Sequence, residues 1–293
     1  MNKHICTRWA FDLSTWTPTL PQLTHAVAAI QIEERTRLMK FHFIDDFLSS
    51  LIGRLLMRKF VSTCTNEPYH QVHFERDVRG KPCWVPSKSA KDNSSTLSFN
   101  VSHQGSLVLL AGIRGSRDDA EFGIGTDVMK IEYSGGKPLA EFFRLMQSKF
   151  SPQEWSYIGR PQHTEGAQLK AFMRHWCLKE AYVKELGVGI TVDLEKISFA
   201  VDTTHPLEEA VSPLCATTLR CNGTPMTQWH FEEHLIAHKY CAAIAFRNCL
   251  PHENARFEFV PFQDLIEPSA IAEQPEVVEY CKQALLKPQK RHS

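Results

Sequence analysis

Two carboxylates and a lysine stand where chemistry is possible. In the segment 165–186, Leu169, Phe172, Met173, Trp176, Glu180 and Val183 recur at three- and four-residue steps, so they share one face of a helix. An unpaired carboxylate in such a stripe costs several kcal/mol, so Glu180 must be paired, protonated or bound to a cation. Lys184 follows one turn later, which also fits an ordinary surface ion pair. The second carboxylate is Asp127, at the end of Phe122-Gly123-Ile124-Gly125-Thr126-Asp127. With the period of a strand, Gly123, Gly125 and Asp127 share a face from which side-chain volume has been removed. That suits close approach of a ligand or ion; a bulged strand ending in a turn aspartate fits equally. Val128 occupies the place of a third glycine, so this is no dinucleotide fingerprint.

Two further segments could hold phosphate. His103 ends the alternating stretch Phe99-Asn100-Val101-Ser102, where it could donate to a phosphate or simply serve as a loop histidine. Arg76, Arg79 and Lys81 surround Gly80 in a turn, an arrangement shared by phosphate cradles and by solvated loops. Ser102 has no G-x-S-x-G elbow around it, and no P-loop motif occurs. His230, His234 and His238 have the spacing of a helical zinc face, but 229–241 reads as strand, turn and strand, which separates them.

These residues need a mixed scaffold. Helical periodicity runs from Gln31 to about Cys64, with Glu33 and Glu34 in its first turn. Strands are expected over 71–78, 83–85, 97–102 and 106–113. The polar break at 115–119 divides the chain, giving a first half over 1–118, a second over 119–250, and an irregular extension over 251–293. In the second half a strand at 122–128 precedes a capping box at Ser151-Pro152-Gln153-Glu154. The long helix then ends at Gly187, and strands follow near 192–201 and 228–246.

Composition narrows the class. The 293 residues carry 33 Lys plus Arg against 33 Asp plus Glu, with 43% hydrophobic residues, as in soluble globular proteins. Zero net charge argues against bulk nucleic-acid binding. No run approaches a membrane span and no signal peptide is legible, so a cytoplasmic protein is expected. Nine cysteines without a C-x-x-C pair read as reduced small hydrophobes.

Taken in order, F-N-V-S-H-Q-G (99–105), G-T-D-V-M-K (125–130) and W-C-L-K-E-A-Y-V-K-x-x-G-x-G (176–189) resemble the 4′-phosphopantetheinyl transferases of the two-halved, single-chain class. E-E-R-x-R at 33–37, G-R-L-x-x-R-K at 53–59 and R-G-K-P at 79–82 extend the likeness over about residues 8–250. The resemblance implies an α+β fold of two similar α/β halves with the active site in the cleft between them. It implies transfer of phosphopantetheine from coenzyme A to a serine of a carrier domain, such as that of fatty acid synthase, releasing adenosine 3′,5′-bisphosphate. Asp127 and Glu180 would hold Mg²⁺, Glu180 would serve as base, and Lys184 would offset developing charge. Arg37, Arg76, Lys81 and His103, with the backbone of Arg79, Gly80 and Lys81, would grip the adenosine bisphosphate end, along a wall shaped by Asn100, Val101 and Ser102. Met129 stands where many bacterial relatives carry a third acidic residue. A monomer is expected, with a basic carrier-docking surface at Arg54, Arg58 and Lys59. The competing readings are a non-catalytic scaffold that binds coenzyme A or carriers, and a zinc- or thiol-dependent regulator.

Overall fold

The computed structural model describes residues 4–87, 95–116, 121–250, 255–266 and 275–290. It resolves into two compact units. One gathers the described residues within 7–97, 101–117 and 257–293, the other those within 1–6, 98–100 and 118–256. The expected boundary at 118/119 lies outside the described residues.

The first half begins with strand β1 (Ile5–Asp12) and helix α1 (Leu20–Ala28). Thr19 caps α1 through a reciprocal box with Gln22, and Pro21 sits in its first turn. The periodic stretch after Gln31 is two helices, α2 (Ile32–Leu38) and α3 (Ile44–Thr65), with extended backbone at Phe43 before the second begins. Phe47, Leu51, Leu55, Leu56 and Phe60 of α3 are fully buried, so this helix forms the centre of its unit. A hairpin of β2 (His73–Arg76) and β3 (Pro82–Val85) follows, then β4 (Ser95–Gln104) and β5 (Leu107–Ser116).

The second half runs through β6 (Gly123–Lys130), α4 (Leu139–Leu145), α5 (Pro152–Ile158), α6 (Glu165–Leu186), β7 (Ile197–Ala200), β8 (Thr218–Cys221), β9 (Thr224–Pro225), β10 (Trp229–Ile236) and β11 (Tyr240–Arg247). Strands β10, β11 and β6 form an antiparallel sheet with β11 in the middle. Helix α6 is capped by Thr164, whose hydroxyl accepts from Ala167 N, and stops at Gly187 in the left-handed region, φ 66°. The histidine trio lies as expected on a hairpin, His238 in its turn at φ 55°.

The extension expected to be irregular is structured where described. It supplies β12 (Glu258–Phe259), α7 (Phe262–Leu265) and α8 (Pro275–Leu285). These belong to the first unit: β12 pairs in parallel with β1, completing the sheet β12-β1-β5-β4, and α8 packs on α1. Val277, Cys281 and Ala284 form the buried stripe of α8. Among the described residues, no helix is long and apolar enough to cross a membrane.

Candidate functional site

Helix α6 lies unusually close to β6 because two residues of the strand have no side chain. A Cβ on Gly125 would fall inside the carbonyl oxygen of Ala181, and one on Gly123 would strike the Glu185 carboxylate. The removed volume therefore admits the helix, a use that neither the ligand nor the bulged-strand reading of the sequence had included. Close packing sets Cys177, Ala181, Lys184 and Glu185, spaced at three and four residues, along the strand. Cys177 Sγ donates to the carbonyl of Asp127 at 3.2 Å, and Lys184 Nζ lies 2.7 Å from Asp127 Oδ1.

Asp127 is only 5% exposed, whereas Lys184 and Glu180 are half-buried. Burial pushes the Glu180 carboxyl above the usual carboxylate range; the nearby charge of Asp127 pushes it further, and Lys184 opposes both. Two like charges and one cation thus share the end of α6. Glu180 stands at the margin of the buried surface, not deep within a stripe: with Leu169, Trp176 and Lys184 it lies on the half-buried side of α6, whose other sides are buried from Ala171 onward.

That burial overturns one expectation. Lys179, which is not among the residues at stripe spacing and is therefore expected off the apolar face, is fully buried. Its Nζ lies 2.9 Å from Glu154 Oε2 and donates to the carbonyls of Leu194 and Ile197. Glu154 also closes the capping box of α5 and accepts from Phe199 N, so this pair joins α6, α5 and β7. Sequence reading also missed Glu185, whose buried carboxylate accepts from Arg247 Nε at 2.8 Å. Its position one residue after Lys184 gave no signal.

In the other unit, Arg37 lies in the last turn of α2 and Arg76 ends β2, both exposed. They are close enough to repel one another, and each also repels Arg54. Burial lowers the Arg54 guanidinium below its ordinary value, and Glu34, 3.4 Å away, counters that. Arg54 is 8% exposed and Arg58 2%; Arg58 donates to the carbonyls of Tyr69 and Val72 and faces the rings of Tyr69 and Phe74. The expected basic docking surface is therefore absent at these two positions. Arg54 instead joins the cationic cluster of Arg37 and Arg76.

The turn 77–81 differs from expectation in its backbone. Asp77 Oδ1 accepts from Arg79 N at 2.9 Å and Lys81 N at 2.8 Å, and Gly80 N donates to Asp77 O. Those amides serve the turn, with Gly80 at φ 83°. His103 is exposed at the end of β4, and Ser102 is buried. Val101 packs against α3, where it faces Gly53. Asn100 belongs to the same unit as Asp127, and its Oδ1 accepts from Thr126 N at 3.2 Å. Among the described residues, no group of three or more His, Cys, Asp or Glu could hold a metal.

Comparison with known proteins covers both halves. A family model described as "4′-phosphopantetheinyl transferase, N-terminal" matches residues 14–115, and one described as "4′-phosphopantetheinyl transferase superfamily" matches 123–245. The chain is 34% identical to the L-aminoadipate-semialdehyde dehydrogenase-phosphopantetheinyl transferase of Rattus norvegicus, over 89% of this chain and 80% of that protein. The figures for the Homo sapiens protein of the same name are the same. A phosphopantetheinyl transferase from Thraustochytrium is 34% identical over 81% of this chain and 77% of its own.

Proposed function

For a chain that belongs to the 4′-phosphopantetheinyl transferases, we propose Mg²⁺-dependent transfer of phosphopantetheine from coenzyme A to a carrier-domain serine, with Asp127, Glu180 and Lys184 as its chemical centre. The observation that carries the reading is the pairing of Lys184 with a nearly buried Asp127 beside a Glu180 carboxyl that burial, and then that aspartate, raise. Repulsion between two adjacent carboxylates is what a divalent cation relieves, and their hard oxygens suit Mg²⁺. In phosphate sites this ion takes one or two carboxylates and fills its remaining positions with phosphate oxygens and water. Asp127 and Glu180 fit that role. Met129, the residue on β6 in line with Asp127, supplies no hard oxygen.

Bound there, Mg²⁺ would neutralise charge on the pyrophosphate of coenzyme A. The remaining work falls to side chains. Glu180 accepts the proton of the carrier serine as its oxygen attacks the β-phosphorus. A carboxyl raised toward neutrality is a better base than one of ordinary strength. Lys184 offsets negative charge that accumulates as the phosphorus–oxygen bond to adenosine 3′,5′-bisphosphate breaks. Arg37, Arg76, Lys81 and His103 supply donors suited to the phosphates of the adenosine bisphosphate end, and Arg54 adds charge to that cluster. The carrier of fatty acid synthase is the acceptor to try first.

The decisive experiment incubates the protein with coenzyme A, Mg²⁺ and the apo carrier domain of fatty acid synthase, and weighs the carrier by intact mass spectrometry. A gain of one phosphopantetheine per carrier supports the assignment. An unchanged mass with this carrier and with a peptidyl carrier domain would overturn it.

A further inference from the structure

Helix α2 is a seven-residue segment, too short to hold its own shape in water. It is fastened on three sides. Arg35 donates to the carbonyls of Val27, Ala28 and Ile30 at the end of α1. Glu34 accepts from Gln31 N at 3.2 Å and faces Arg54 and Arg58 of α3 at 3.4 and 3.5 Å. Gln31 makes the third attachment, and an unusual one. Its side-chain Oε1 accepts from Phe74 N at 2.8 Å while its Nε2 donates to Phe74 O at 3.2 Å. The carboxamide thereby pairs with one residue of β2 as a neighbouring strand would.

The attachment reaches two arginines. Arg37 lies one turn after Glu34 on the same helix, and Arg76 lies two residues after Phe74 on the same side of its strand. The two guanidiniums repel each other. Left to itself, that repulsion would spread α2 and β2 apart; the pair of hydrogen bonds from Gln31 to Phe74 opposes that separation.

We propose that Gln31 is a positioning residue that fixes the spacing of Arg37 and Arg76, and through it the preference for a coenzyme bearing a 3′-phosphate. The proposal rests on the reading of those arginines as the grip on the adenosine bisphosphate end. Gln31 itself touches no ligand.

The test measures KM for coenzyme A and for dephospho-coenzyme A, which lacks the 3′-phosphate, in the full chain. Gln31→Ala raises the KM for coenzyme A about tenfold, changes that for dephospho-coenzyme A less than twofold, and leaves kcat at saturating coenzyme A unaltered. Gln31→Glu keeps the acceptor for Phe74 N and loses the donor, so it falls between Gln31→Ala and the parent. It also carries the test if Gln31→Ala does not fold. A purely structural role would lower the melting temperature and leave the ratio of the two KM values unchanged, and that result overturns the proposal. Arg37→Ala and Arg76→Ala separate the levels. If they collapse the ratio and the Gln31 variants do not, positioning alone is wrong; if they too leave it unchanged, the phosphate grip itself is wrong.

Discussion

Lys179 Nζ lies 2.9 Å from Glu154 Oε2, and neither side chain is exposed to solvent. The next residue along the helix, Glu180, carries the proposed chemistry, so two adjacent positions hold a structural charge and a reactive one. Burial lowers the pKa of Lys179, and Glu154 restores part of it. Removing one partner strands the other charge. Lys179→Ala should therefore cost about 3–5 kcal/mol, seen as a large fall in the chemical-denaturation midpoint. A midpoint close to that of the parent would mean Glu154 is adequately served by Ser151 N and Phe199 N.

Glu180→Gln separates catalysis from folding. Size and one oxygen are retained at a half-buried position, so stability should change little. Glutamine cannot take a proton, and transfer should slow by at least about a hundredfold. The rise in melting temperature with coenzyme A should remain, because Arg37 and Arg76 do not depend on Glu180. Transfer near the parent rate in saturating Mg²⁺ would remove Glu180 from the mechanism.

Gly125→Ala should be among the most damaging small substitutions. Its methyl group would meet the carbonyl of Ala181, which belongs to a helix and cannot yield. The expected loss is about 3 kcal/mol or more, with transfer reduced in whatever folds, since Lys184 would move away from Asp127. Gly166→Ala in the first turn of α6 is the control. Nothing lies within 4 Å of that Cβ, and the change should stabilise by roughly 0.5–1 kcal/mol.

His175 makes stability depend on pH. The ring is buried and its Nδ1 donates to Ala171 O at 2.7 Å. Burial lowers its pKa, the carboxylates of Glu154 and Glu233 oppose this, and Arg174 reinforces it. With the folded value below the unfolded one, the unfolded chain binds the proton first as pH falls. Its contribution is complete above about pH 6.5 and declines below it, by at most about 1.4 kcal/mol per pH unit. His175→Asn keeps a donor for Ala171 O and should flatten the melting temperature between pH 7.5 and 5.5. Parallel curves for the two proteins would place the pH sensitivity elsewhere.

Much of the second half was legible because its signals are local. The Ser151 box, the stop at Gly187 and the turn at Ala237–His238 each depend on a few neighbouring residues. What escaped depends on distant partners. Strand β1 borders β12, about 250 residues away, and nothing near Trp9 announces this. The burial of Lys179 escaped because a single hydrophobic stripe is the reading its periodicity gives, on a helix that is buried on nearly every side. Arg54 and Arg58 read as surface cations because the carbonyls and the Glu34 carboxylate that receive them come from other elements.

The pairing of β12 with β1 also bears on the order in which the protein is made. The unit that starts at residue 7 is interrupted at 117 and resumes at 257. On a ribosome adding about 5–20 residues per second, the stretch between them takes roughly 7–28 s to emerge. Throughout that interval β1 lacks one of its two neighbours and the apolar side of α1 lacks α8. The inserted unit, continuous but for a few residues, is free to fold first. The half synthesised earliest thus completes itself last, and nascent chains halted before residue 257 should expose α1 to chaperones and proteases.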